Sequence, residues 1–202
     1  MEQPVTIPSG GIELEGRFGP ASGGDGVVVM HPHPLYGGDM QNPVVETITR
    51  AYAKNGYNTL RFNFRGVGSS GGAFDDGNGE QSDILACTDY LETKGIRVTD
   101  LAGYSFGAWV LAKLSALPDG IRRMLMVAPP VAFMDFSGIK PSPPNIRIIT
   151  GSLDDFAPPG GVKRWLATCG TTEHMVIIED ADHFYSGRLH RLEDAVSQAI
   201  SP

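Results

Sequence analysis

The sequence predicts an α/β fold: one domain built on a mostly parallel sheet of about eight strands, with helices on both faces. Three observations predict it. Strand-like and helix-like segments alternate from residue 26 onward, an order that requires parallel strands joined by crossover helices. The apolar run Gly26-Val27-Val28-Val29-Met30-His31 is continuous and not alternating, as in a strand covered on both faces. Finally, the 202 residues contain no repeat, low-complexity segment or linker, and 41% hydrophobic content suffices for one core, giving a single domain over residues 1–202.

Taken in order, residues 5–8 and 12–18 are short strands joined by Ser9-Gly10-Gly11, a hairpin signal. Ile12-Glu13-Leu14-Glu15-Gly16 alternates, as an edge strand with one wet face does. The buried strand 26–31 follows, then a helix over 42–55 that stops at Gly56 and a strand over 57–63. A glycine-rich loop fills 65–79, and a helix over 80–94 ends at Gly95. A strand at 97–101 leads through Gly103-Tyr104-Ser105-Phe106-Gly107 into a helix over 108–117. Strands at 122–128 and 145–150 flank a proline-rich stretch, 129–144. A short helix at 162–168, a last strand at 175–179 and a closing helix at 189–200 complete the chain.

Charge narrows the function classes. Sixteen Lys and Arg stand against 23 Asp and Glu, a net charge of −7 with no basic run, so the composition argues against nucleic acid as a partner. The N-terminus lacks a basic segment followed by an apolar one, and no apolar stretch is long enough to span a membrane. Cys87 and Cys169 both fall in expected helices without a C-x-x-C pattern, which reads as two thiols in a reducing compartment. The cytoplasm is the expected location; oligomeric state is not readable.

The chemistry concentrates in the loops that follow the strands. Gly103-Tyr104-Ser105-Phe106-Gly107 is a G-x-S-x-G pattern between a strand and a helix, the context of a nucleophile elbow. Such a turn lifts a serine hydroxyl clear of the sheet and aims the next N–H, that of Phe106, at the same space. A serine needs a base within hydrogen-bond reach, and the base needs a carboxylate to fix its tautomer. On this architecture the partners follow in the order serine, acid, histidine. Gly151-Ser152-Leu153-Asp154-Asp155 directly follows one later strand, and Asp180-Ala181-Asp182-His183 follows the last. Ser105, Asp154 and His183 are therefore the catalytic candidates. Asp155 is the rival to Asp154, and Asp135 a remoter one; His174 and His190 lie in the wrong places.

His31-Pro32-His33-Pro34-Leu35-Tyr36-Gly37-Gly38 follows the first buried strand, where a second oxyanion donor is expected. Pro32 and Pro34 have no N–H, which leaves His33, then Leu35, as candidates. An H-x-H pair with Asp39 nearby is a weak metal signal; a stiff loop whose imidazoles bond to neighbours is the preferred reading, with no metal. Asn63 to Gly72 lacks both phosphate-loop fingerprints and reads as a turn beside the site, with Arg65 held by backbone or carboxylate contacts. The prolines of 129–144 preclude a helical cap, so this stretch is expected to run extended along an open cleft. Tyr36, Tyr104, Phe133 and Phe136 are the candidate substrate-binding side chains, and Met134 of the same stretch is also available to line an acyl pocket.

These loops together resemble the α/β-hydrolase superfamily, and most closely its small bacterial members without a lid, related to the dienelactone-hydrolase and serine-aminopeptidase-like branches. The residues that carry the resemblance are His31 to Gly38, Arg61-Phe62-Asn63-Phe64-Arg65-Gly66-Val67-Gly68, Gly103 to Gly107 and Ala181-Asp182-His183-Phe184. It implies Ser105 as nucleophile, Asp154 as acid and His183 as base, acting without a cofactor on a small-molecule ester. An amide or peptide substrate is the runner-up, and a hydrolase-like binding protein without catalysis the alternative of a different class. The acid loop departs from the group's pattern, which often has a second acidic residue of the glutamate kind.

Overall fold

The structure, a computed structural model, describes residues 1–114, 116–140, 145–169 and 174–201. Its strands are β1 (Gln3–Ser9), β2 (Ile12–Gly19), β3 (Asp25–Met30), β4 (Asn58–Phe62), β5 (Arg97–Tyr104), β6 (Arg123–Val127), β7 (Ile146–Gly151) and β8 (Met175–Ile178). Its helices are α1 (Pro43–Lys54), α2 (Gly79–Thr93), α3 (Phe106–Lys113), α4 (Pro159–Thr168) and α5 (Leu189–Ile200). The strands form one sheet in the order β1-β2-β4-β3-β5-β6-β7-β8. β1 to β2 and β2 to β4 are antiparallel, and every other pairing is parallel.

This order places the site. The crossover from β3 through α1 moves toward one edge, to β4; the crossover through α2 returns past β3 to β5. Right-handed crossovers therefore put α1 on one face and α2 and α3 on the other. Accordingly, α1 packs with α5, and α2 with α3. The direction of winding reverses between β3 and β5, and the loops leaving the carboxyl ends of those two strands open a crevice there.

The core follows from sequence pattern. Val27 to Met30 on β3 and Leu101 and Ala102 on β5 are fully buried under helices from both faces. In α1, Val44, Val45, Ile48, Ala51 and Tyr52 recur at helical spacing and are buried, while Asn42 caps the helix by accepting from the Val44 N–H at 2.9 Å. Pro43 occupies the first helical position, where its missing N–H is harmless.

Three expectations are corrected. β5 runs on to Tyr104, because Ala102 and Gly103 have ladder partners on both β3 and β6. The helix after the elbow spans Phe106–Lys113, and Leu114 is already extended ahead of Pro118, where a helix cannot continue. Residues 131–134 form a turn and do not run extended. The N–H groups of Phe133 and Met134 both donate to the Pro130 carbonyl, since proline lacks a donor but keeps its acceptor. No helix lies between β6 and β7 among the described residues. Pro141, Pro143 and Pro144, to which the cap argument appealed, and Ser115 of the expected helix lie outside them.

Candidate active site

Ser105 sits between β5 and α3 with φ 53° and ψ −113°, a backbone conformation that non-glycine residues rarely adopt. Its N–H donates to the Val127 carbonyl at 2.9 Å, which ties the elbow to β6. Glycine at both flanks makes the turn possible. A Cβ on Gly103 would lie 2.5 Å from the Gly107 carbonyl, and one on Gly107 would lie 2.7 Å from the Met30 Cβ of the neighbouring strand.

His183 Nε2 lies 2.9 Å from Ser105 Oγ, and His183 Nδ1 lies 2.9 Å from Asp154 Oδ2. A carboxylate only accepts, so Nδ1 carries the proton and donates to Asp154, leaving Nε2 to accept from the serine hydroxyl. Asp154 is buried, and its Oδ1 also accepts from the N–H groups of Phe156 and Ala157, at 2.9 and 2.7 Å. Asp155 is exposed. Asp135 is exposed too; its pKa is lowered by hydrogen bonds from the Ser137 side chain and from the Ser137 N–H within its own turn. His174 and His190 are exposed.

The two loops that bring Asp154 and His183 together are knitted by backbone. The Leu153 N–H donates to the Ala181 carbonyl, and the Asp180 N–H to Ser152 Oγ. Gly151 packs so closely on Ala181 that any Cβ would collide with its carbonyl. Tyr104 donates its hydroxyl to the His183 carbonyl at 3.0 Å, and burial pushes its pKa up. The Tyr185 hydroxyl donates to the Ile149 carbonyl.

Across the crevice, the loop after β3 is fixed by its own imidazoles. His31 is fully buried; its Nδ1 donates to the Pro32 carbonyl, and its Nε2 accepts from the Phe64 N–H at 3.0 Å. His33 Nδ1 accepts from the Leu35 N–H at 3.2 Å. That bond corrects the place of Leu35 as an oxyanion candidate: its N–H is taken and its side chain is exposed. Among the described residues the N–H groups of His33 and Phe106 have no protein acceptor. The Met40 N–H donates to Asn63 Oδ1, joining this loop to the one after β4. There Arg65 is held by a two-pronged contact with buried Asp83. No group of three His, Cys, Asp or Glu side chains poised for a metal occurs among the described residues.

Ser105 and His183 line a cavity of about 350 Å³. Of the residues expected to line it, Tyr36, Tyr104, Phe133 and Met134 do so. Phe136 does not: it is buried edge-on against Trp165 at 4.8 Å, because the turn at 131–134 swings it inward. Phe156 and Phe184 take its place. They stand two residues from Asp154 and next to His183, so an apolar residue close to a site residue was the signal that could have found them. A larger hollow of about 420 Å³ beside Glu2 and Arg61 includes none of Ser105, Asp154 and His183 in its lining.

No family model matches the sequence. An uncharacterized protein of Rickettsia prowazekii is 35% identical over 199 residues, covering 93% of this chain and 84% of that one. An alpha-beta serine hydrolase homologue from Coxiella burnetii superposes with a TM-score of 0.90 at 32% identity, covering 98% of this chain and 97% of its own. A structure from Xanthomonas campestris, described as an α/β serine hydrolase without a lid, gives a TM-score of 0.90 at 30% identity over 98% of this chain and 93% of that one. Identity of this level over nearly the full length, with backbones that superpose this closely, settles the relationship: the chain belongs to the α/β-hydrolase superfamily of serine hydrolases.

Proposed function

We propose that this hydrolase cleaves small carboxylic esters through an acyl-enzyme. Ser105 Oγ attacks the ester carbonyl as His183 Nε2 takes its proton, and Asp154 stabilises the imidazolium that forms. The N–H groups of Phe106 and His33 receive the oxyanion. His183 returns the proton to the departing alcohol, then activates a water that releases the acid. The observation that supports the reading best is the Asp154–His183–Ser105 hydrogen-bond chain, with both spacings at 2.9 Å and Ser105 in a strained backbone conformation.

The test is a fluorophosphonate label together with p-nitrophenyl acetate turnover. Wild type should label, and Ser105→Ala should neither label nor turn over. Loss of such a nucleophile costs on the order of 10⁶ in kcat in a well-studied protease. Near-normal turnover in a folded Ser105→Ala variant would refute the reading.

A further inference from the structure

The rim of the cavity is a chain of aromatic rings. Tyr36 meets Phe133 at 5.8 Å between centroids, Phe133 meets Phe156 at 5.5 Å, and Phe156 meets Phe184 at 6.5 Å, each pair edge to face. The chain ends on the site itself: Tyr36 abuts the His33 ring at 4.8 Å, and Phe184 abuts that of His183 at 5.5 Å. These rings are left in the open. Tyr36 is 74% exposed, Phe184 62%, Phe133 50% and Phe156 37%, whereas Phe62, Phe64 and Tyr52 elsewhere in the chain are fully buried. Contiguous apolar surface of this kind on a soluble fold marks a place that something covers.

A second observation concerns charge. The residues lining the cavity include no Lys, Arg, Asp or Glu, and the chain carries a net −7. A substrate carboxylate would lose water here and find no cation in return. A substrate ammonium would find no carboxylate on the wall.

From the ring chain and the uncharged lining we infer that the substrate of this site is an uncharged ester carrying an aromatic ring, seated among Tyr36, Phe133, Phe156 and Phe184. The inference rests on the serine-hydrolase reading above and adds the substrate class to it. A saturated group on this rim gains only from the apolar area it covers. A flat ring gains that area and, in addition, edge-to-face contacts with walls already arranged to offer them. A cavity of about 350 Å³ is at the small end of ligand pockets, which suits one ring and one ester group.

The experiment uses two matched pairs: benzyl acetate against cyclohexylmethyl acetate, and methyl phenylacetate against methyl cyclohexylacetate. A methylene separates ring from ester in each, and rates are normalised to hydroxide hydrolysis, so the comparison reads the ring and not the reactivity of the carbonyl. The aromatic member should lead in kcat/KM by about tenfold in at least one pair, the factor that about 1.4 kcal/mol of ring contact produces. The lead should shrink in the Phe133→Leu, Phe184→Leu double variant, both positions being exposed enough to change without unfolding the chain. The same aromatic ester bearing a para-carboxylate should be cleaved more slowly than the neutral one. A cyclohexyl member that equals its aromatic partner in both pairs overturns the inference, as does a lead untouched by the double substitution, or a carboxylate that is tolerated. If fluorophosphonate labels Ser105 while no aromatic preference is found, this inference alone fails. If there is neither labelling nor turnover of any ester, the hydrolase reading fails and the inference with it.

Discussion

Acid should weaken this fold through the buried imidazole of His31. His31 is fully buried at the end of β3, and its two ring nitrogens are committed, one donating to the Pro32 carbonyl and one accepting from the Phe64 N–H. Burial lowers its pKa from 6.5 to about 4, against the opposing pull of the Pro32 carbonyl and Asp39. A proton on Nε2 would leave a charge without water and set two N–H groups against each other. In the unfolded chain the same imidazole titrates near 6.5, so the unfolded state takes up the proton first as pH falls. The contribution of His31 is therefore present above about pH 6.5, falls between 6.5 and 4, and changes no further once both states are protonated. A separation of 2.5 pH units corresponds to about 3 kcal/mol, of which about 2 kcal/mol is gone by pH 5. Against a total of about 5–15 kcal/mol for a domain, that is a large share. The assay is urea unfolding at pH 7, 6 and 5 on wild type and on His31→Gln, whose amide oxygen can accept from Phe64 but cannot titrate. Wild type should lose about 2 kcal/mol more than the variant over this range, the variant being the weaker at pH 7. Equal losses in both proteins would refute the assignment. The burial that lowers the pKa of His33 and raises that of Asp100 acts in both proteins, so the difference between wild type and variant reads His31.

The remaining predictions concern the catalytic loops. Asp154→Asn should lower kcat on the order of 10⁴, because an amide favours the wrong tautomer of the histidine, while Asp155→Asn should stay close to wild type; steady-state kinetics on p-nitrophenyl acetate reads both, and the reverse ranking would move the role to Asp155. Gly151→Ala should separate the loops that carry Asp154 and His183, since its Cβ would meet the Ala181 carbonyl, and a misplacement of about 1 Å costs on the order of 100-fold in kcat/KM. An unchanged kcat/KM in that variant would show that the loops are held apart from this contact.

The sequence was informative where local chemistry decides structure. The succession of strands and helices along the chain followed from apolar runs and their glycine stops, though not the order of the strands in the sheet, and Ser105, Asp154 and His183 stood out because each follows a strand of the parallel sheet. It was uninformative where partners are distant in the chain. Nothing near Arg65 names Asp83 as its mate, or shows that Asp83 also accepts from Ser9 Oγ. Likewise, nothing near Asp100 points to Tyr52 and Arg123, which hold it inside the sheet's other end. Phe136 was misplaced for a related reason. Proline content spoke against a cap helix, but it could not show that the Pro130 carbonyl would gather two N–H groups into a turn and rotate the next aromatic inward.

Strain was the least legible property, and it gathers around the proposed site. Among the described residues, five non-glycine residues have positive φ, and four of them surround the site: Ser105 at the elbow, Ala128 at the end of β6, and Asp180 and Tyr185 on either side of His183. Each such conformation costs on the order of 1–3 kcal/mol and persists only if its surroundings leave no alternative. Here they leave none. Ser105 and Ala128 are pinned by N–H bonds to the neighbouring strands, Asp180 by Ser152 Oγ, and Tyr185 by its hydroxyl on the Ile149 carbonyl. A rigid parallel sheet thus holds three short loops in conformations they would not keep alone. The return is a serine, a histidine and an aspartate already at hydrogen-bond distance, so that little reorganisation remains when a substrate arrives.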